Sequence, residues 1–242
     1  MLDHIQLENL ICIDIETAPE FSSFENVPEK FRELYLLKAA RLREENETDD
    51  EHYFNHAGIY AEFGKVICIS VGIFARKRKS EPFKFRIKSF SGDDEKKLLS
   101  EFLELLNKQF KLSNYQFCGH NIREFDIPYL CRRLLIQHLP LPKMLDLSGK
   151  KPYEINFVDT LQLWRFGDYK NYTSLKLLAA LLEIESPKND IEGKDVGRVY
   201  WQEKDLSRIA DYCKRDVLTV AQIILRLKNL PLLDQHQIVF VE

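Results

Sequence analysis

Short apolar runs separated by polar turns set the frame of this chain. Leu10–Ile15 is a short, continuous run, the pattern of a central strand buried on both faces. Lys65–Phe74 and Phe83–Phe90 read as two more strands, joined by RKRKSEP as a turn. In SGDDEKKLLSEFLELLNKQF, Ser91 or Asp93 is the expected cap of a helix whose leucines recur at helical spacing. Tyr115–Cys118 predicts a fourth strand, and IPYLCRRLLIQH a helix with Pro128 near its start, where proline is tolerated. A strand ending at Val158, a helix around 174–182 and a long helix from about 206 to 227 complete the order βββαβαβαα. One interruption stands out between Thr17 and Gly64, where the charged helical segment EKFRELYLLKAARLREE precedes the polar run NETDDEH. The expected architecture is a single α/β domain over 1–242, with 18–63 as a helical insertion after the first strand.

Composition adds limits rather than identity. Of 242 residues, 45% are hydrophobic and 30% charged, enough apolar surface for a real core. A net charge of −3 argues against a protein that coats long stretches of nucleic acid, though not against one gripping a strand end through cations. The five cysteines show no C-x-x-C spacing, and Cys12, Cys68 and Cys118 sit in apolar runs, so neither a disulfide framework nor a zinc site is expected. The opening MLDHIQLENL lacks the features of a signal peptide, and no apolar run approaches the ~18 residues of a membrane span. The expectation is a soluble, cytoplasmic protein without a membrane partner.

The acids carry the chemistry. Side chains alternate along a strand, so Asp14 and Glu16 project from the face that also carries Leu10 and Cys12. Burying an unpaired charge costs several kcal/mol, and two adjacent carboxylates repel; a hard divalent cation removes both penalties. On the last helix, Asp216 falls on the apolar stripe of Ile209, Cys213, Val220, Ile224 and Leu227, with Tyr212 one turn before it. The bland alternative there is a structural tyrosine–aspartate hydrogen bond. Asp126 precedes Ile127-Pro128 and reads equally as an N-cap or as a ligand. His52 and His56 are spaced i, i+4 with no third ligand evident. Residues 76–88 carry seven basic side chains and one acid. In an antiparallel meander that turn lies opposite Asp14 and Glu16, which predicts a solvated edge, whereas the insertion 18–63 begins and ends on the acidic side.

The motifs D-I-E at 14–16, N-I-R-E-F-D at 121–126 and Y-C-K-R-D at 212–216 together resemble the DEDD superfamily of 3′–5′ exonucleases, in the subclass whose third motif is Y-x-x-x-D. More narrowly, the chain resembles stand-alone predicted exonucleases related to the proofreading domain of family-B DNA polymerases. EFGKVICISVG, GKKPYE, VDTLQLWRFGDYKNYTSLKLLAALL and SPKNDIEGKDV extend that likeness over most of the chain. The resemblance implies a ribonuclease H-like fold, a mixed five-stranded sheet flanked by helices. It implies two divalent ions, Mg²⁺ or Mn²⁺, held by Asp14, Glu16, Asp126 and Asp216, with Tyr212 orienting the attacking water. Thr17, Asn121 and Phe125 would contact the strand, releasing nucleoside 5′-monophosphates from single-stranded DNA. RNA or short oligoribonucleotides are the alternative substrate, and a non-catalytic nucleic-acid-binding module the alternative class. No polymerase domain fits this length, so proofreading would need a replication or repair partner in trans.

Overall fold

Residues 2–78, 80–110, 114–185 and 191–241 are described by the computed structural model. Its sheet is built on β1 (Leu10–Pro19), β2 (Gly64–Ala75) and β3 (Lys84–Ser91), an antiparallel meander. β4 (Gln116–Gly119) adds in parallel to β1, and β5 (Val158–Asp159) in parallel to β4. A sixth strand, β6 (Ile238–Val241), pairs in parallel with β3, so the order across the sheet is β5-β4-β1-β2-β3-β6. The mixed sheet flanked by helices has the expected ribonuclease H-like character, with six strands where five were expected. The extra strand is four half-exposed residues on the sheet edge, too short for its periodicity to register.

The helices are α1 (Glu29–Ala39), α2 (Asp49–His56), α3 (Glu95–Gln109), α4 (Asp126–Ile136), α5 (Thr160–Arg165), α6 (Leu175–Leu181), α7 (Val196–Arg198) and α8 (Leu206–Leu227). None among the described residues is long and apolar enough to cross a membrane. α3 starts later than its sequence suggests: β3 runs through Ser91, and Asp94 caps the helix by accepting from Lys97 N at 3.0 Å. Asp93 instead accepts from the Tyr200 hydroxyl at 2.8 Å.

Strand alternation divides β1 between two cores. Ile11, Ile13 and Ile15 join Leu98, Leu99 and Phe102 of α3 and Leu130 and Leu134 of α4 on one face. Leu10 and Cys12 meet Val217, Val220, Ala221 and Ile224 of α8 on the other. Asp14 and Glu16 therefore continue the row facing α8. Gly119 lets β4 come close to β1, because a Cβ there would sit 2.1 Å from Ile122 Cγ2 and 2.8 Å from the carbonyl of Ile13.

Between β1 and β2, α1 and α2 close over a small core of their own, including Val27, Tyr35, Tyr53 and Phe63. Thr48 and Glu51 form a capping box at the start of α2. Glu47 joins His52 and His56, a third potential ligand that sequence spacing does not reveal. The ring nitrogens of His52 nonetheless face the Tyr35 hydroxyl at 3.0 Å and the Ala39 carbonyl at 3.1 Å, the surroundings of a core histidine. The segment returns to the sheet where Glu20 N donates to the Phe63 carbonyl (2.9 Å). The register Ile11↔Ile73 and Ala75↔Lys84 puts the basic turn at the far end from Asp14 and Glu16, as the meander requires. Arg76 there pairs with Glu8 and lies over the Phe83 ring, while Lys79 is outside the described residues.

Candidate active site

Along the middle of β1 a cleft of about 580 Å³ opens between the sheet, α4, α6 and α8. Asp14, Glu16, Asp126, Tyr212 and Asp216 all line it, and so do Asn121 and Phe125. Asp14 stands opposite Ser70 and Glu16 opposite Cys68; strand register shifts directly after Glu16, so the pair sits just before the irregularity in β1. Glu16 is 7% exposed and Asp126 4%.

Asp126 is more than a helix start. It is the first residue of α4, and its Oδ1 accepts from Ile15 N, 111 residues away, at 3.2 Å. One carboxylate oxygen thereby fastens the second motif onto the strand between the two acids of the first. α8 brings the third motif, with the Tyr212 phenol donating to the Asp216 carboxylate. Cys213, between them, donates from Sγ to the Asp14 carbonyl at 3.4 Å. Burial pushes that thiol up, so it stays neutral beside the acids.

The electrostatics are those of crowded, buried acids, with Arg215 offsetting the crowding at Asp216. Burial first, then Asp216 and Asp126, hold Asp14 well above the usual carboxylate range. Burial and then Asp14 do the same to Glu16. Burial raises Asp126 to about 7 and Asp216 to about 6. Oδ2 of Asp14 is buried with no hydrogen-bond partner. A cluster of hard oxygen donors, one of them orphaned, fits a divalent cation. Tyr212 is pushed upward as well, by burial and then by Asp216, which removes it as a base near neutrality.

A stability trend follows with a definite sign. Each acid whose folded pKa is raised contributes stability while protonated and loses that contribution as pH climbs through the folded value. With Asp216 at about 6 and Asp126 at about 7 against an ordinary value of 3.8, metal-free protein is expected to lose thermal stability between about pH 4 and pH 7. Added Mg²⁺ or Mn²⁺ is expected to reverse the loss at the upper end. Melting in chelator against melting in metal, across that range, checks it; a flat metal-free profile would mean the carboxylates are not crowded.

The remaining expected contacts divide. Asn121, at φ +62°, has a buried Oδ1 without a partner at the cleft. Phe125 lines the cleft beside it. Thr17 does not line it: its hydroxyl donates to the Gly58 carbonyl at 2.8 Å. Sequence reasoning passed over Asp159, which is 2% exposed and not among the lining residues. It accepts from the backbone N–H of Asn121, Arg123, Leu161 and Gln162 and so fixes the loop carrying Asn121 and Phe125. Its signal was available, an aspartate directly before a helix. His120 joins Thr160 Oγ1 and the Thr173 carbonyl, both at 2.9 Å, and so shapes the strand end.

A ribonuclease H-like sheet with buried acids gathered on its central strand fits a nuclease. The chain belongs to a family described as predicted 3′-5′ exonucleases related to the exonuclease domain of PolB, whose sequence model matches residues 59–231. That span holds Asp126, Tyr212 and Asp216, while Asp14 and Glu16 precede it and reach the cleft through β1. Membership points to a nucleic-acid substrate and a divalent cation. No curated protein matches the chain. Of the segment SPKNDIEGKDV, residues 186–190 lie outside the described residues.

Proposed function

We propose that this protein is a DEDDy-type 3′–5′ exonuclease that shortens single-stranded DNA, with 1–242 acting as one domain and 18–63 as a helical insertion within it. Asp14, Glu16, Asp126 and Asp216 would hold two divalent ions, Mg²⁺ or Mn²⁺. The observation that carries this is the buried, partnerless Oδ2 of Asp14 among three further acids whose protons are all held abnormally tightly. When bound, the ions supply an activated water and neutralise charge developing on the phosphate.

The chain's own groups position the reactants. Because the Tyr212 phenol keeps its proton, it holds the attacking water by hydrogen bonding and leaves deprotonation to the other groups. Asn121 Oδ1 is placed to accept from a hydroxyl or amino group of the terminal nucleotide, and Phe125 to stack on its base. The Thr17 backbone remains a candidate contact, its side chain being engaged with Gly58. Water oxygen bonds to phosphorus as the bond to the 3′ oxygen of the preceding nucleotide breaks. The products are a nucleoside 5′-monophosphate and a strand one residue shorter with a 3′-hydroxyl.

Purified protein incubated with 5′-labelled single-stranded DNA and Mg²⁺ or Mn²⁺ is expected to give a ladder shortening from the 3′ end. RNA of the same sequence in a parallel lane reads the sugar preference, faster loss of RNA reassigning the substrate. No cleavage of either strand with either metal would overturn the enzymatic reading in favour of a binding module.

A further inference from the structure

The loop joining α5 to α6 exposes three aromatic rings within seven residues: Phe166 (78% exposed), Tyr169 (73%) and Tyr172 (61%). Isolated exposed aromatics are ordinary, but three in one short ordered loop beside a functional cleft are not. Internal bonds shape the loop. Asp168 N donates to the Arg165 carbonyl at 2.8 Å, and the Asp168 carboxylate accepts from Lys170 N at 3.0 Å and Asn171 Nδ2 at 2.9 Å. Phe166 takes a left-handed φ of 47° and Gly167 one of 92°, a sharp reversal that leaves the Phe166 ring in solvent.

The loop is moored to the cleft at both ends. His120 Nε2 holds the Thr173 carbonyl at 2.9 Å, and Tyr172 lines the cleft itself. Arg165 Nη1 donates to Glu124 at 3.0 Å, beside Phe125, and its guanidinium lies 6.0 Å from the centre of the Tyr169 ring. Tyr172 thus stands at the cleft, Tyr169 and Phe166 lie further along the same loop, and Lys170 adds an exposed positive charge while Asp168 is committed to the turn.

We propose that Phe166, Tyr169 and Tyr172 form a stacking platform for the bases lying 5′ of the terminal nucleotide in a single strand held by the cleft. Every base presents a π-face, so exposed rings beside a cationic side chain suit a single strand without reading its sequence. Duplex bases are already stacked and gain nothing, so the platform selects frayed or single-stranded ends. The inference rests on the cleft receiving a strand end, and it adds length dependence and strand selectivity.

The test is anisotropy of labelled oligothymidylates from about two to about eight nucleotides, in Ca²⁺, for the native chain and for Phe166→Ala with Tyr169→Ala. Affinity of the native chain is expected to rise steeply with length, and the double variant to lose at least ~10-fold on the longest strand and little on the shortest. Phe166→Trp with Tyr169→Trp is expected to keep the native dependence, which separates stacking from any effect on folding. Equal length dependence in the native and alanine proteins overturns the platform. So does failure of the native chain to bind any strand. Cleavage of the same strands in Mg²⁺ is read separately: length-dependent binding without cleavage would retain the platform and discard the exonuclease.

Discussion

Replacing Asp14 with alanine is expected to lower kcat/KM on single-stranded DNA by at least ~10³-fold. Asp14 is the acid whose Oδ2 lies buried without a partner, and its proton is held up by burial and by Asp216 and Asp126 together. The same change is expected to raise the melting temperature of metal-free protein near pH 8, because it removes an acid that the fold buries at a cost. The two effects have opposite signs, which distinguishes a functional acid from a structural one. Digestion of labelled DNA and melting in chelator measure them side by side; an inactive variant that also melts lower would make Asp14 part of the scaffold.

The largest loss of stability is expected at Arg133. Its side chain is 3% exposed and donates to Glu95 Oε1 at 2.8 Å, to the Ala61 carbonyl at 2.9 Å and to Glu20 Oε2 at 2.8 Å. Glu95 also accepts from Val66 N at 2.7 Å and Gln137 Nε2 at 2.6 Å. This knot ties α4, which carries Asp126, to α3, to the start of β2 and to the segment between β1 and β2. Arg133→Met leaves Glu95 buried with only neutral donors, and is expected to cost about 3–5 kcal/mol. Urea unfolding measures it as a lower midpoint. Adding Glu95→Leu is expected to restore part of the loss by removing the stranded charge, though Val66 N then lacks its acceptor. A loss below about 1 kcal/mol for Arg133→Met would refute the buried-network account.

What the sequence made legible was periodic. β1 and α8 were readable because a continuous run and a stripe at helical spacing each have one good explanation, and Asp14, Glu16 and Asp216 were conspicuous as departures from them. Long-range polar contacts have no such local signature. The bond from Ile15 N to Asp126 spans 111 residues, and nothing near Asp126 distinguishes it from a cap. Arg133 follows Arg132 in an otherwise apolar part of α4, and nothing local marks it as buried until Glu95 and Glu20 are brought to it. Glu47 escaped notice beside His52 and His56 because the ligand set bends around the start of α2 and follows no helical spacing. β6 was missed because four residues at a sheet edge are too few for a period.

Central strand β1 is also a constraint on how this lineage can drift. Its odd positions, Ile11, Ile13 and Ile15, belong to one core, and its even positions run from Leu10 and Cys12 to Asp14 and Glu16 on the other side. Substitutions can accumulate there one residue at a time, each felt locally. Losing or gaining a single codon between Leu10 and Asp14 would exchange the two rows, driving both acids among the leucines of α3 and α4 and turning isoleucines into the cleft. Length changes in genes of this kind should therefore be purged from β1 and collect in the stretch between β1 and β2, where they leave the parity of the strand intact.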